Sequence, residues 1–386
     1  MKCVRGLSSV ALVSFLSIHA GVAMSKGIEQ VPNPNGSAQP INVSSPVLAQ
    51  SQSAESFYRQ GVAKLDKKDY RGAVSDFSKA IQLKPNHADA YHNRAVAKFF
   101  LQDFRAAFAD VSETIRLKPD QAGAYRLRGG LLIISKEYRQ AIPDFDAAIR
   151  LDPKFPDAYY WRGYAKYFVG GQERAAILDF DAAIRLNPNY ADAYKERGRV
   201  KDYLEDYRGA IADFSKAIQL QRNYPEAFYR RGLAWVYSTK NYQRAIADFT
   251  EAIRLDPNYA EAYEERGSAI NNVVGPNGNL RQALADFNTA IRLNPNLSGA
   301  YYGRSFARAN SGNYQGALDD ASVAARLFRA EGDSVNYRKA TSYISYLRNR
   351  GGNAQRGGRY VWCSDSSGPY QVYVRAGESL PNSTCQ

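Results

Sequence analysis

Histidine and cysteine are scarce, with three of each in 386 residues. The histidines are His19, His87 and His92, and the cysteines are Cys3, Cys363 and Cys385. A His- or Cys-rich zinc site cannot be assembled from that inventory. A hydrolase triad would have to rest on His87 or His92. The sequence also lacks a phosphate-binding glycine loop, a His-Glu-x-x-His pair and a Cys-x-x-Cys pair. Carboxylates are plentiful, but their positions follow a repeat instead of converging on one place. The sequence therefore predicts no catalytic residue, no metal and no cofactor.

Against those absences stand 28 tyrosines and an excess of 51 Lys and Arg over 38 Asp and Glu, a formal charge of +13. Such a balance suits an acidic partner. Hydrophobic residues at 45% and charged residues at 23% exclude both a wholly disordered chain and a multi-span membrane protein. Lys2 and Arg5 precede an apolar run at 10–18, and Gly21-Val22-Ala23 follows. A basic start, a short apolar core and small residues spell a secretory signal peptide over 1–23, with a retained signal anchor as the alternative. The run is too short to span a bilayer comfortably, so no integral span is expected after cleavage. The expected location is outside the cytoplasm, periplasmic or extracellular. Losing the leader removes Cys3 and leaves Cys363 and Cys385, an even pair that reads as a disulfide in an oxidising compartment. Residues 24–53, with Pro32, Pro34, Pro40 and Pro46, read as a flexible linker.

From Ala54 the sequence repeats about every 34 residues, the mark of a solenoid. Eight units fall at 54–87, 88–121, 122–155, 156–190, 191–224, 225–259, 260–297 and 298–331. Each reads as two amphipathic helices. The first carries an aromatic at its fourth position, from Phe57 and Tyr91 to Tyr301, and a small residue four later, from Gly61 and Ala95 to Ser305. The second carries an invariable alanine (Ala73 to Ala317), with phenylalanine four residues on in six units, Val111 and Ala321 being the exceptions. That spacing puts the small and large residues on one face. Pro85, Pro119, Pro153, Pro188, Pro257 and Pro295 end units, while Arg222 and Arg329 stand in the proline's place. Extra residues near Gly170-Gly171, Ser238-Thr239 and 275–278 belong to turns between paired helices.

These positions and offsets resemble the tetratricopeptide repeat (TPR) family over 54–331. The resemblance implies an all-α, right-handed α-solenoid that binds another protein and has no enzymatic activity. Seven units carry Arg before the small residue and all eight carry Asp before the phenylalanine position. The pairs are Arg94 with Asp110, Arg128 with Asp144, Arg162 with Asp179, Arg197 with Asp213, Arg231 with Asp248, Arg266 with Asp286, and Arg304 with Asp320. A ladder that binds ligand is one reading; a clamp within each helix pair explains better why every unit repeats it, and Arg suits such pairing.

In TPR solenoids the first helix lines a concave groove. The resemblance places there Tyr58, His92, Phe99, Arg126, Tyr160, Tyr164, Lys195, Arg199, Tyr229 and Arg230, an aromatic stretch with cations interleaved. The expected partner is a protein or peptide segment with an acidic or aromatic part, and a basic part towards Glu264 and Glu265. The carboxylate-gripping residues of some TPR proteins are not reproduced: Asn93 stands alone and Leu127 occupies the place of the last Arg. Nucleic acid is not an expected partner, because the Arg-Gly-Gly runs at 350–352 and 356–358 read as a solvated linker.

Beyond the repeats, 332–349 reads as a cap helix with Ala340, Tyr343, Ile344 and Leu347 on one face. A linker over 350–358 and a small β-hairpin tail over 359–386 follow, closed by a Cys363–Cys385 bridge or docked on the cap helix. An envelope adaptor acting through this tail is the rival function, and an enzyme the remotest.

Overall fold

The computed structural model describes residues 53–274, 279–354, 359–365 and 368–374. The signal peptide, all of the linker but Ser53, and Cys385 lie outside them. The first helices of the eight repeats are α1 (Ala54–Asp66), α3 (Ala88–Phe100), α5 (Ala122–Ile134), α7 (Pro156–Val169), α9 (Ala191–Tyr203), α11 (Pro225–Thr239), α13 (Ala260–Val274) and α15 (Ser298–Asn310). The second helices are α2 (Tyr70–Leu83), α4 (Phe104–Leu117), α6 (Tyr138–Leu151), α8 (Glu173–Leu186), α10 (Tyr207–Leu220), α12 (Tyr242–Leu255), α14 (Leu280–Leu293) and α16 (Tyr314–Ala330). A last helix, α17 (Ser334–Ala354), precedes two strands, β1 (Arg359–Asp365) and β2 (Gly368–Val374), which pair antiparallel.

The turns inside the pairs have a local cause. Lys68, Gln102, Lys136 and Glu205 take positive φ, and this left-handed residue reverses the chain. The residue after it caps the next helix: Asp69, Asp103 and Asp206 accept from the backbone N–H of Gly72, Ala106 and Gly209 at 3.0, 3.2 and 2.9 Å. In repeat six the added residues lengthen α11 to Thr239, and Lys240 makes the left-handed turn. Repeat four instead turns at Gly170 and Gly171, both at positive φ.

Helices before a proline end in an extended residue, such as Lys84 (φ −138°, ψ 86°) and Asp256 (φ −135°, ψ 93°), because the pyrrolidine ring disfavours helical backbone before it. Gln221, which precedes Arg222, has the same conformation (φ −134°, ψ 95°). Packing alone therefore suffices for the bend there. At Arg329 the helix runs on to Ala330.

The described helices form two compact units, α1–α8 and α9–α17. Within each, every helix pair packs together and the second helix packs on the first helix of the next repeat. The core repeats as the sequence does. Phe77, Phe145, Phe180, Phe214, Phe249 and Phe287 are at most 1% exposed. Opposite them sit Gly61, Gly129, Gly163, Gly198, Gly232 and Gly267; a Cβ on Gly61 would stand 2.6 Å from the Phe77 ring. Where the ring shrinks to Val111 or Ala321, the glycine grows to Ala95 or Ser305, all fully buried. The loss of ring volume is offset in part across the pair.

Helix α17 packs on α16. Ala340 and Leu347 are buried, and Phe306 stacks on Tyr343 at 4.2 Å. The helix passes the expected end at 349 and reaches Ala354. The Arg350 guanidinium lies 5.2 and 5.6 Å from the rings of Tyr314 and Tyr346, which holds that last turn against α16.

Candidate functional site

Each of the seven arginines meets its aspartate through two parallel hydrogen bonds. Arg197, for example, donates from Nε to Asp213 Oδ2 at 2.9 Å and from Nη2 to Oδ1 at 2.5 Å. The same fork recurs at Arg94–Asp110, Arg128–Asp144, Arg162–Asp179, Arg231–Asp248, Arg266–Asp286 and Arg304–Asp320. All the aspartates are buried. A second cation joins many of them: Lys98, Lys166, Lys201 and Arg308 lie 2.7, 2.8, 2.8 and 2.9 Å from the same carboxylates. Repeat one has Gln60 in the arginine's place, and Lys64 alone reaches Asp76 at 2.6 Å.

Two further contacts complete the arrangement. Each guanidinium lies over the aromatic three residues before it, 5.3 to 5.8 Å from the rings of Tyr91, Tyr125, Tyr159, Tyr194, Phe228, Tyr263 and Tyr301. Nη1 reaches back to the preceding repeat: Arg94 to Ser78, Arg162 to Asp146, Arg231 to Ser215, Arg266 to Thr250 and Arg304 to Asn288, at 2.7 to 3.2 Å. The acceptor always follows the phenylalanine position. Sequence reasoning missed this link, although a polar residue stands at that place in every repeat that precedes such an arginine.

With their charge met inside the repeats, these arginines leave the side formed by the first helices to other residues. First helices of successive repeats touch at α1–α3 and α5–α7 in the first unit and at α9–α11, α11–α13 and α13–α15 in the second. In the first unit Tyr58 accepts a hydrogen bond from Asn93 Nδ2 at 3.1 Å, with the His87 ring 4.8 Å away. Arg126 lies 5.7 Å from the Phe155 ring. His92 is held neutral: burial, then the Arg126 charge, pushes its imidazole down to about 4. Three of the residues expected to face a partner are instead interior. Phe99, Tyr160 and Tyr164 are 3%, 6% and 5% exposed. Tyr160 and Tyr164 both pack edge-on to Trp161, and Tyr164 sits 4.6 Å from Phe168. They fill space between helices.

The second unit corrects Lys195 as well. It is 9% exposed, with Nζ 2.9 Å from Glu196 Oε1 and 3.2 Å from Glu226 Oε2, over the Tyr224 ring. Burial works against its charge, but Glu196 and Glu226 outweigh it and the ammonium is raised well above its ordinary value. In return Lys195 holds the Glu226 carboxyl down to about 2. Arg199 pairs with Glu196 at 3.1 Å and Arg230 with Glu226 at 3.4 Å. The cations expected to await an acidic ligand are thus neutralised at home. Tyr229 packs against Tyr259 and Phe249 and remains half-buried.

Family models match three stretches: a TPR repeat at 129–170, and tetratricopeptide repeats at 195–260 and 54–87. The chain is a tetratricopeptide repeat protein. Among solved TPR structures, the C-terminal part of a repeat protein from Cytophaga hutchinsonii is 21% identical, with a TM-score of 0.51 over 64% of this chain and 98% of that one. The APC/C hetero-tetramer Cut9-Hcn1 is 14% identical, with a TM-score of 0.52 over 78% of this chain and 57% of that one. YrrB, described as a TPR protein with an unusual peptide-binding site, is 23% identical, with a TM-score of 0.42 over 48% of this chain and 95% of that one. No curated protein matches the chain. Among the described residues of this TPR protein, no group of three His, Cys, Asp or Glu could hold a metal, and no helix is long and apolar enough to cross a membrane.

Proposed function

We propose that this TPR protein is an exported, non-catalytic scaffold whose first helices form a concave groove for a segment of another protein. The observation that carries the reading is where the charge goes. The Arg–Asp forks join helix to helix, so they serve the fold, and the first helices offer Tyr58, Arg126 and Tyr229 for contact, with Arg230 beside them in its pair with Glu226. Half-buried Tyr and Arg make good interface anchors, because they are partly ordered before binding. In the same reading α17 caps the array and a Cys363–Cys385 bridge closes the tail. By the chain-entropy model that loop adds about 3 kcal/mol. Finding both thiols free in exported, unreduced protein excludes the bridge.

The test is site-specific photo-crosslinking in native extracts. A benzoyl-phenylalanine at position 58, 126 or 230 should capture the same partner, and one at the exposed Leu178 of α8 should not. Capture only from position 178 or from the tail would move the binding surface and favour an adaptor acting through its C-terminus.

A further inference from the structure

The cations of the second unit are not all matched. On α9 and α11, Lys195, Arg199 and Arg230 meet Glu196 and Glu226, and both arginines of α15, Arg304 and Arg308, pair with Asp320 of α16. Helix α17 continues the first-helix side beyond the last repeat: its Tyr343 stacks on Phe306 of α15 and meets Tyr302 edge-on at 6.1 Å. Neither α15 nor α17 contains an Asp or Glu, whereas α17 carries Arg338, Lys339, Arg348 and Arg350. Between the two helices opens a cleft of about 510 Å³ lined by Tyr302, Val335, Arg338, Lys339 and Ser342. Arg338 and Lys339 are exposed, and among the described residues no carboxylate pairs with either. Arg338 donates from Nε to the Ser334 carbonyl at 3.2 Å, and its Nη groups meet no acceptor among the described residues. The nearest acids in sequence are engaged: Glu331 accepts from the Ser298 hydroxyl at 3.0 Å, and Asp333 accepts from the Asn336 backbone N–H at 3.0 Å. Tyr302 makes a rigid wall, because Phe306, Phe328 and Tyr343 all pack edge-on against it.

We propose that this cleft receives an aspartate or glutamate side chain of the protein segment bound along the first helices, an inference that rests on the groove reading above. The Arg338 guanidinium offers a planar fork that matches a carboxylate, and Lys339 adds a second charge beside it. The Ser342 hydroxyl can donate to the same group, while Val335, 53% exposed, suits the short aliphatic stem. With no acid on either helix, no carboxylate of α15 or α17 competes for the two cations. A space of this size is that of a small-ligand site, far more than one bare ion fills, so the occupant is a side chain and not a lone anion. The acidic part of the partner then lies at the C-terminal end of the array. It does not lie over the middle, where Lys195, Arg199 and Arg230 are already paired. Because the two cations are exposed, their contact fixes the direction of the segment more than it adds affinity.

The experiment selects binders from a phage-displayed library of random dodecapeptides on the immobilised full-length protein. Selected peptides are synthesised with amidated C-termini, and each Asp or Glu is replaced in turn by Asn or Gln. They are titrated calorimetrically against wild type, Arg338→Gln with Lys339→Gln, Arg326→Gln with Arg329→Gln, and Arg126→Ala. The second double variant removes the same charge from exposed positions of α16. The expected result is one acidic position whose neutralisation weakens binding to wild type about fivefold or more, but to the first double variant by less than about twofold. Equal losses with the two double variants would make the attraction a general one and overturn the cleft. Peptides that lose affinity with Arg126→Ala yet bind wild type and the first double variant equally would overturn the cleft and leave the groove reading standing. Peptides indifferent to every substitution, or no peptides at all, would overturn both. Thermal melting confirms that each variant is folded.

Discussion

Gly232 lies so close to Phe249 that a Cβ on it would stand 2.6 Å from the ring's Cε1. The ring is fully buried and cannot retreat into solvent. Gly232→Ala should therefore destabilise the second unit by about 1–3 kcal/mol through overpacking, despite alanine's better helix propensity. Adding Phe249→Val should recover part of that loss, because it recreates the Ala95 and Val111 combination of repeat two. Urea unfolding of both variants checks it; a double variant weaker than the sum of the two single changes would refute the complementarity.

Asp213→Ala removes the acceptor of both Arg197 and Lys201, two cations with side chains only 17% and 21% exposed. Stranding them should cost a few kcal/mol, read from the shift in denaturation midpoint. Affinity for a partner, measured well below the melting temperature, should stay the same. A normal melting curve with abolished binding would make the forks a ligand site.

Lys195→Ala with Arg199→Ala should act on stability more than on association. The pair is removed from between Glu196 and Glu226, and the Glu226 carboxyl should climb back from about 2 towards its ordinary value. Unfolding at several salt concentrations, beside association rates for a recovered partner, separates the two effects. Unchanged stability with slower association at low salt would restore these residues to the interface.

Two half-buried groups give opposite responses to pH. The His92 imidazole falls from 6.5 unfolded to about 4 folded, so the unfolded chain takes its proton first. Its contribution is whole above 6.5 and is lost as pH falls towards 4. The Glu265 carboxyl rises from 4.5 to about 7, so its contribution is whole below 4.5 and is lost as pH rises through 7. Each swing is at most about 3 kcal/mol. His92→Phe should flatten the acid limb, and Glu265→Gln should stabilise the protein above pH 7 and change little below 4.5. Denaturation midpoints from pH 4 to 8 test both, and parallel profiles for variants and wild type would contradict them.

The helix pairs were legible because each fold-determining residue recurs: a phenylalanine against a glycine, an aspartate against an arginine. The residues of the first-helix side were less legible, for a geometric reason. Tyr160 and Lys195 occupy the helix position that in other repeats carries Arg126 or Tyr229, yet Phe180 of α8 packs on the first and Glu226 of α11 pairs with the second. Burial there depends on the residue one helix away, which a one-helix pattern does not contain. The backward link of Arg94 to Ser78 escaped for a different reason: the hydroxyl sits beside the phenylalanine in sequence and looks like a solvated surface residue.

That backward link gives the array a direction. Five arginines each belong to one repeat and borrow a last acceptor from the repeat before. Trimming repeat one would leave the Arg94 Nη1 without Ser78, a charged donor that has lost its acceptor. Trimming repeat eight would leave only the Asn288 amide facing water. An unmet charged donor costs more than a neutral amide returned to solvent. The stack is therefore a chain of latches all facing one way, and it should tolerate erosion from its C-terminal end better than from its N-terminal end.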